Sequence, residues 1–164
     1  MLTIGQTSSL VSDYFMIYEN DPALDKEAED FEALFKEYLE NLDESKLPMK
    51  AGQPVTRFKL RHIRGKAKRQ LQDEIRLNYN ASDTQDPINL MVTYLACQMS
   101  LVEIQDCNDA KGKEFKLSKT YDKGCGFDVV SEECMRELND TDDGGLVNQL
   151  GIRAIMSLSP GPNS

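Results

Sequence analysis

The sequence predicts an α+β fold, predominantly helical: a helical bundle with a small β element and an extended N-terminal arm. Three observations carry this. Apolar residues recur at helical spacing over 25–42 and dominate the run from Ile88 to Ile104, residues 55–62 alternate with period two, and residues 1–12 show no period. The chain has 164 residues, 40% of them hydrophobic and 29% charged, enough for one packed core. The expected division is an arm or docking strand over 1–20 and one α+β domain over 21–164.

In chain order, Leu2, Ile4, Leu10 and Val11 are scattered through a polar arm. Asp13 to Tyr18 is aromatic and strand-like, and Asn20-Asp21-Pro22 stops it. From Asp25 to Leu42 the residues Ala28, Phe31, Leu34, Phe35, Tyr38, Leu39 and Leu42 form one apolar helical stripe, with acids on the opposite face and in the first turn. Over Val55 to His62, Thr56, Phe58 and Leu60 point one way while Arg57, Lys59 and Arg61 point the other, a half-buried strand with a basic outer face. After Gly65 a helix to about Asn78 turns Ala67, Leu71 and Ile75 inward, and a polar loop follows to Gln85. Asp86 and Pro87 are start signals for a buried central helix reaching about Asp106. Phe115 with Leu117, and Phe127 to Val130, suggest two short strands. Ser131 caps a short helix to about Leu138, Asn139 to Gly145 is a loop, and a last helix spans about Leu146 to Ser157.

The net charge of −9 conceals two opposed blocks. Residues 13–44 hold twelve acids against Lys26 and Lys36, and residues 45–80 hold ten bases against Asp73 and Glu74. Such blocks govern partners and solubility rather than fold. Either they face each other within the molecule or they face neighbours in an assembly.

No catalytic constellation emerges. His62 is the only histidine and lies in the basic strand, so a nucleophile–base pair would have to be built on a strand-end packing group. Gly124-Cys125-Gly126 lacks the remaining residues of a phosphate-binding loop and reads as a turn. The 106–112 segment has its glycine one position late for a calcium loop, and 139–145 is merely acidic; both read as solvated loops. Cys97, Cys107, Cys125 and Cys134 are spaced by ten, eighteen and nine with no close pair, so neither a zinc site nor a disulfide framework is expected. No metal, no cofactor and no enzymatic activity are expected. MLTIGQTSSL has no basic start or apolar stretch suited to a signal peptide, and no run suits a membrane span, so the expected setting is cytosolic with no membrane partner.

The densest feature is the basic run Arg57, Lys59, Arg61, Arg64, Lys66, Lys68 and Arg69. Phosphate contacts could use it, but the chain is acidic overall and no aromatic residue but the inward-facing Phe58 interleaves the bases. Nucleic acid is therefore the second reading, through 57–69, and an acidic protein surface is the first.

The segment Pro54-Val55-Thr56-Arg57-Phe58-Lys59-Leu60-Arg61-His62-Ile63-Arg64-Gly65-Lys66 resembles the P-T-x-F-x-L-R-x-L-x-G opening of small bacteriophage proteins encoded among virion and tail genes, several of them tail assembly chaperones. The stretch Gly145 to Ser159 is similar to the amphipathic helix ending in I-x-x-L-S that closes such chains. The resemblance spans roughly residues 50–160 and leaves the acidic N-terminal third without a counterpart. It implies a non-enzymatic phage structural or assembly protein acting on other virion or assembly proteins, in the host cytoplasm during assembly or in the virion, with a homo-oligomer among the compatible forms. The expected partner-binding residues are Leu2, Ile4, Leu10, Val11, Phe15 and Ile17 of the arm, and Arg57, Lys59, Arg61, Arg64 and Lys66 of the basic run.

Overall fold

The alternating segment at 57–60 forms strand β2 (Arg57–Leu60), and its position explains much of the architecture. Neighbouring strands satisfy the backbone hydrogen-bonding groups of β2 along both of its edges. They are β1 (Tyr14–Met16) on one side and β3 (Leu101–Gln105) on the other, in an antiparallel sheet ordered β1-β2-β3. Met16 lies opposite Phe58, and Ile104 opposite Phe58 on the other edge. A bulge between Lys59 and Leu60 brings Leu60 opposite Leu101. The computed structural model describes residues 13–81 and 90–158, so the arm residues 1–12 and the start signals Asp86 and Pro87 lie outside the described residues.

The expected helical bundle is not what forms. Among the described residues five α-helices combine with two small antiparallel sheets in a mixed α/β fold. The decisive difference lies in the long apolar run, which divides into helix α3 (Leu90–Ser100) and β3 with no residue between them. Val102 and Ile104 alternate with Glu103 and Gln105, a strand signature that a helix through Asp106 would waste. The carbonyl of Ser100 accepts from the Arg61 amide at 2.8 Å, so sheet pairing takes over directly where the helix ends.

The Phe58, Leu60 and Leu101 side chains pack with Cys97 of α3, Met135 and Leu138 of α4 (Glu132–Asp140), and Leu146, Val147 and Leu150 of α5 (Gly145–Met156). A second cluster joins Ala67 and Leu71 of α2 (Gly65–Ala81) to Val92, Ala96 and Met99 of α3. Cys125, and Val129 of β5 (Phe127–Val130), close that cluster from the hairpin that β5 makes with β4 (Lys119–Asp122). Gly124-Cys125-Gly126 is its turn, held by the Asp122 carboxylate, which accepts from the Gly124 amide at 2.7 Å. The strand expected at Phe115 and Leu117 does not form; both side chains pack, partly buried, on the first cluster, and pairing starts at Lys119. Ser131 caps α4 by accepting from the Cys134 amide at 3.3 Å, with Glu132 and Glu133 in the favourable first turn.

The N-terminal third builds a third cluster from Ile17, Leu24, Val55 and the Phe31, Phe35 and Tyr38 stripe of helix α1 (Phe31–Asn41). That helix is shorter than the expected 25–42. Residues 25–30 are tied into turns instead: the Asp25 amide donates to the Pro48 carbonyl at 2.9 Å and Leu24 bridges Met49. Asp21 is buried because its two oxygens accept from the Ala23 and Thr56 amides, each at 2.8 Å. The Tyr38 hydroxyl accepts from the Ile17 amide at 2.8 Å, and burial pushes this phenol up to about 12, keeping it neutral.

The tightest contact between elements is that of α5 on α3. At Gly151 a Cβ would fall inside the backbone of Thr93, onto its carbonyl group. Glycine costs a helix interior about 1 kcal/mol relative to alanine, so its presence marks a close approach. Gly151→Ala is expected to lower unfolding stability by about 3 kcal/mol in urea titration, overpacking outweighing the gain in helix propensity. An unchanged or raised midpoint would contradict this crossing.

Candidate partner-binding surface

The basic run divides into two groups with different surroundings. In β2, the Arg57 guanidinium grips Glu44 with two bonds, Nη2 to Oε1 at 2.5 Å and Nε to Oε2 at 3.2 Å, and this pairing raises its already high pKa. Lys59 Nζ lies 3.9 Å from Glu103 and 5.8 Å from the centre of the Phe15 ring. Arg61 stacks on Phe127 at 4.4 Å and donates to the Asp128 carbonyl at 3.3 Å. Beside it, burial and then the Arg61 charge hold Lys119 below the usual lysine range. His62 packs against Tyr14 with ring centres 4.9 Å apart, and burial, then the Arg64 charge, keep its imidazole below the usual range and neutral at pH 7. Thus the strand's bases are engaged by the chain itself.

The second group begins α2. Arg64, Lys66 and Arg69 are exposed and Lys68 is half-buried. Lys66, Lys68 and Arg69 make no ion pair among the described residues. They crowd the first turn of a helix that has no acid there. Cations at a helix N-terminus oppose the backbone dipole, by about 0.3–1 kcal/mol each when exposed. Folding alone gives no reason for them. Farther along the same outward face stands Leu77, 59% exposed.

The acids show a similar division. Asp21 and Glu44 are structural, and the Asp43 carboxylate, held below the usual range by its bond from the Ser45 amide, caps the turn at 44–46. Glu37 meets Lys46 at 3.4 Å. Glu27, Glu29, Asp30, Glu32 and Glu40 are exposed and make no ion pair among the described residues. In α1 the last turn carries no base, so Glu40 stands at the dipole's negative end.

Of the expected arm contacts, Phe15 is 37% exposed on the edge strand β1, whereas Ile17 is fully buried and belongs to the core. Leu2, Ile4, Leu10 and Val11 fall outside the described residues. Sequence reasoning missed the outward Leu77, Leu90 and Met91. Leu90 and Met91 belong to a run whose apolar character assigned it to the interior, Leu77 was not singled out, and only tertiary packing tells which side of an apolar run faces out.

The possible chemical sites resolve into structural roles. Asp109 folds its own loop, its Oδ1 accepting from the Lys111 amide at 2.8 Å and the Lys113 amide at 3.0 Å. Asp142 and Asp143 sit in the left-handed region, φ 51° each, and the Asp142 carboxylate accepts from the Tyr18 hydroxyl at 2.8 Å. A cleft of about 540 Å³ is lined by Cys134, Ser118, Phe115, Lys113, Glu133 and Glu137 among others. The Cys134 sulfur accepts from the Ser118 amide at 3.3 Å, and the cleft around it is lined by carboxylates and lysines with no imidazole among them. Among the described residues, no three His, Cys, Asp or Glu side chains are arranged to hold a metal ion, and no helix is long and apolar enough to cross a membrane.

The chain matches no family model, and neither the curated proteins nor the solved structures provide a match to it.

The four thiols are free and differ in access. Burial pushes Cys97 up to about 12, which keeps it a thiol at pH 8. Cys107, only half-buried, is expected to react first with a thiol reagent at pH 8, and Cys97 only on unfolding. Modification of Cys97 in the native protein at the rate of Cys107 would contradict the packing of α3.

Proposed function

We propose that this chain is a non-enzymatic bacteriophage structural or assembly protein that acts by binding other virion or assembly proteins, in the host cytoplasm or in the particle. The observation that carries the binding role is the unneutralised charge that opposes the helix dipoles: Lys66, Lys68 and Arg69 at the start of α2, and Glu40 at the end of α1. Charge retained where it weakens the local structure is supported by what it does outside the molecule. The phage setting rests on the resemblance of residues 54–66 and 145–159 to virion and tail-region proteins.

A protein partner fits better than nucleic acid. Three bases of the run, Arg57, Lys59 and Arg61, are turned onto groups of the chain itself, which leaves few for a phosphate backbone. The chain's net charge of −9 adds long-range repulsion from a polyanion.

Titrating a labelled DNA duplex at several salt concentrations separates the two readings. Protein binding expects no association, or a log–log salt slope shallower than about −3, reflecting few phosphate contacts. A steeper slope with tight binding at physiological salt would overturn the protein-binding reading in favour of a nucleic-acid-associated factor.

A further inference from the structure

We propose that the partner of these charged faces includes a second copy of this chain, joined head to tail: the acidic face of α1 in one copy docks on the basic start of α2 in the next. This rests on the protein-binding reading and names the partner.

The two faces are complementary and separate. Twelve acids against two bases over 13–44, and ten bases against two acids over 45–80, put opposite signs of similar size in one chain. The structure lets them meet at Arg57 with Glu44 and at Lys46 with Glu37. Beyond those contacts, Glu29, Glu32 and Glu40 on one side, and Lys66, Lys68 and Arg69 on the other, have no ion-pair partner among the described residues. Helices α1 and α2 belong to different core clusters, α1 with Ile17 and Val55, α2 with Val92 and Met99. A second copy supplies to each face the charge that its own chain does not. Leu77, exposed along the outward face of α2, supplies apolar contact beside the charges.

The symmetry follows from the chemistry. Two different patches meet, so the contact is heterologous and each bound copy presents a fresh acidic and a fresh basic face. Assembly therefore continues as a ring or an open filament rather than stopping at a dimer. Each copy also carries a net charge of −9, which repels at long range. At physiological salt that repulsion is screened beyond about 8 Å while contact pairs persist. Association is expected to peak near such salt and to weaken both well below it and above about 500 mM.

The test uses the full chain and a pair of charge reversals, with mass measured by sedimentation. Wild type is expected to exceed its monomer mass of 18.5 kDa with rising concentration. The variants K66E/R69E and E32K/E40K are each expected to remain monomeric, because each carries like charge on both faces. Mixed in equal amounts they are expected to associate again, since the reversed α2 start of one suits the reversed α1 face of the other, and the two unreversed faces still suit each other. K66E/R69E also places acids in the first turn of α2, so its melting temperature is expected to hold or rise, separating loss of assembly from loss of fold. If either variant unfolds, the salt profile of wild type alone decides. Wild type that stays monomeric at every salt, or well-folded variants that associate like wild type, would overturn self-pairing. In the first case, an oligoglutamate peptide that still binds wild type but not K66E/R69E would leave the protein-binding reading intact, and failure of that binding too would overturn both.

Discussion

The close approach of α5 to α3, possible because Gly151 presents no side chain to the Thr93 backbone, is the constraint on which the other elements depend. Helix α3 passes into β3 without a loop, so whatever positions the helix also positions the strand. Strand β3 pairs with β2, β2 pairs with β1, and α2 starts five residues beyond the end of β2 and packs back on α3. Ala96 and Cys97 on α3, both fully buried, link two of the three core clusters through adjacent positions of one helix. The arrangement fixes where the charged segments 57–61 and 64–69 emerge.

Within that frame the chain treats its charges in two ways. Where a base lies on the sheet it is absorbed, by a two-bonded carboxylate at Arg57 and by aromatic faces at Lys59 and Arg61. Where bases begin α2 they are left outward against the helix dipole, and much of the acid of 27–40 is likewise left outward. Exposed pairs contribute only about 0–1 kcal/mol to stability, so neither group is needed to keep the chain folded. Their natural effect is on encounter and orientation with a partner.

Much of the fold was legible where the signal is local. Period two marked β2, Ser131 with two following glutamates marked α4, and the apolar spacing of 146–157 marked α5. The run Ile88 to Ile104 misled because a segment apolar on nearly every side has no preferred face, and the helix period and the strand period then fit equally well. Its second part pairs with β2 instead, in a register that sets Leu60 opposite Leu101 and that no local window contains. The acids before Phe31 favoured an earlier helix start, but hydrogen bonds to residues 48 and 50 bind that stretch into turns. The basic run was visible as a candidate site. Which of its members are neutralised was not, since Glu44, Glu103 and Phe127 reach them only through the tertiary fold. Ile17, expected among the arm contacts, is interior because its amide is needed by Tyr38 and its side chain by the α1 cluster.

The most direct measurement is zero-length carbodiimide coupling in an equal mixture of light and nitrogen-15-labelled chains, followed by mass spectrometry of the linked peptides. Mixed-isotope links joining Lys66 or Lys68 to Glu29, Glu32 or Glu40 are the predicted result, because they place the basic turn of one molecule on the acidic helix of another. Links between these segments found solely within single chains, or intermolecular links confined to other surfaces, would contradict the account.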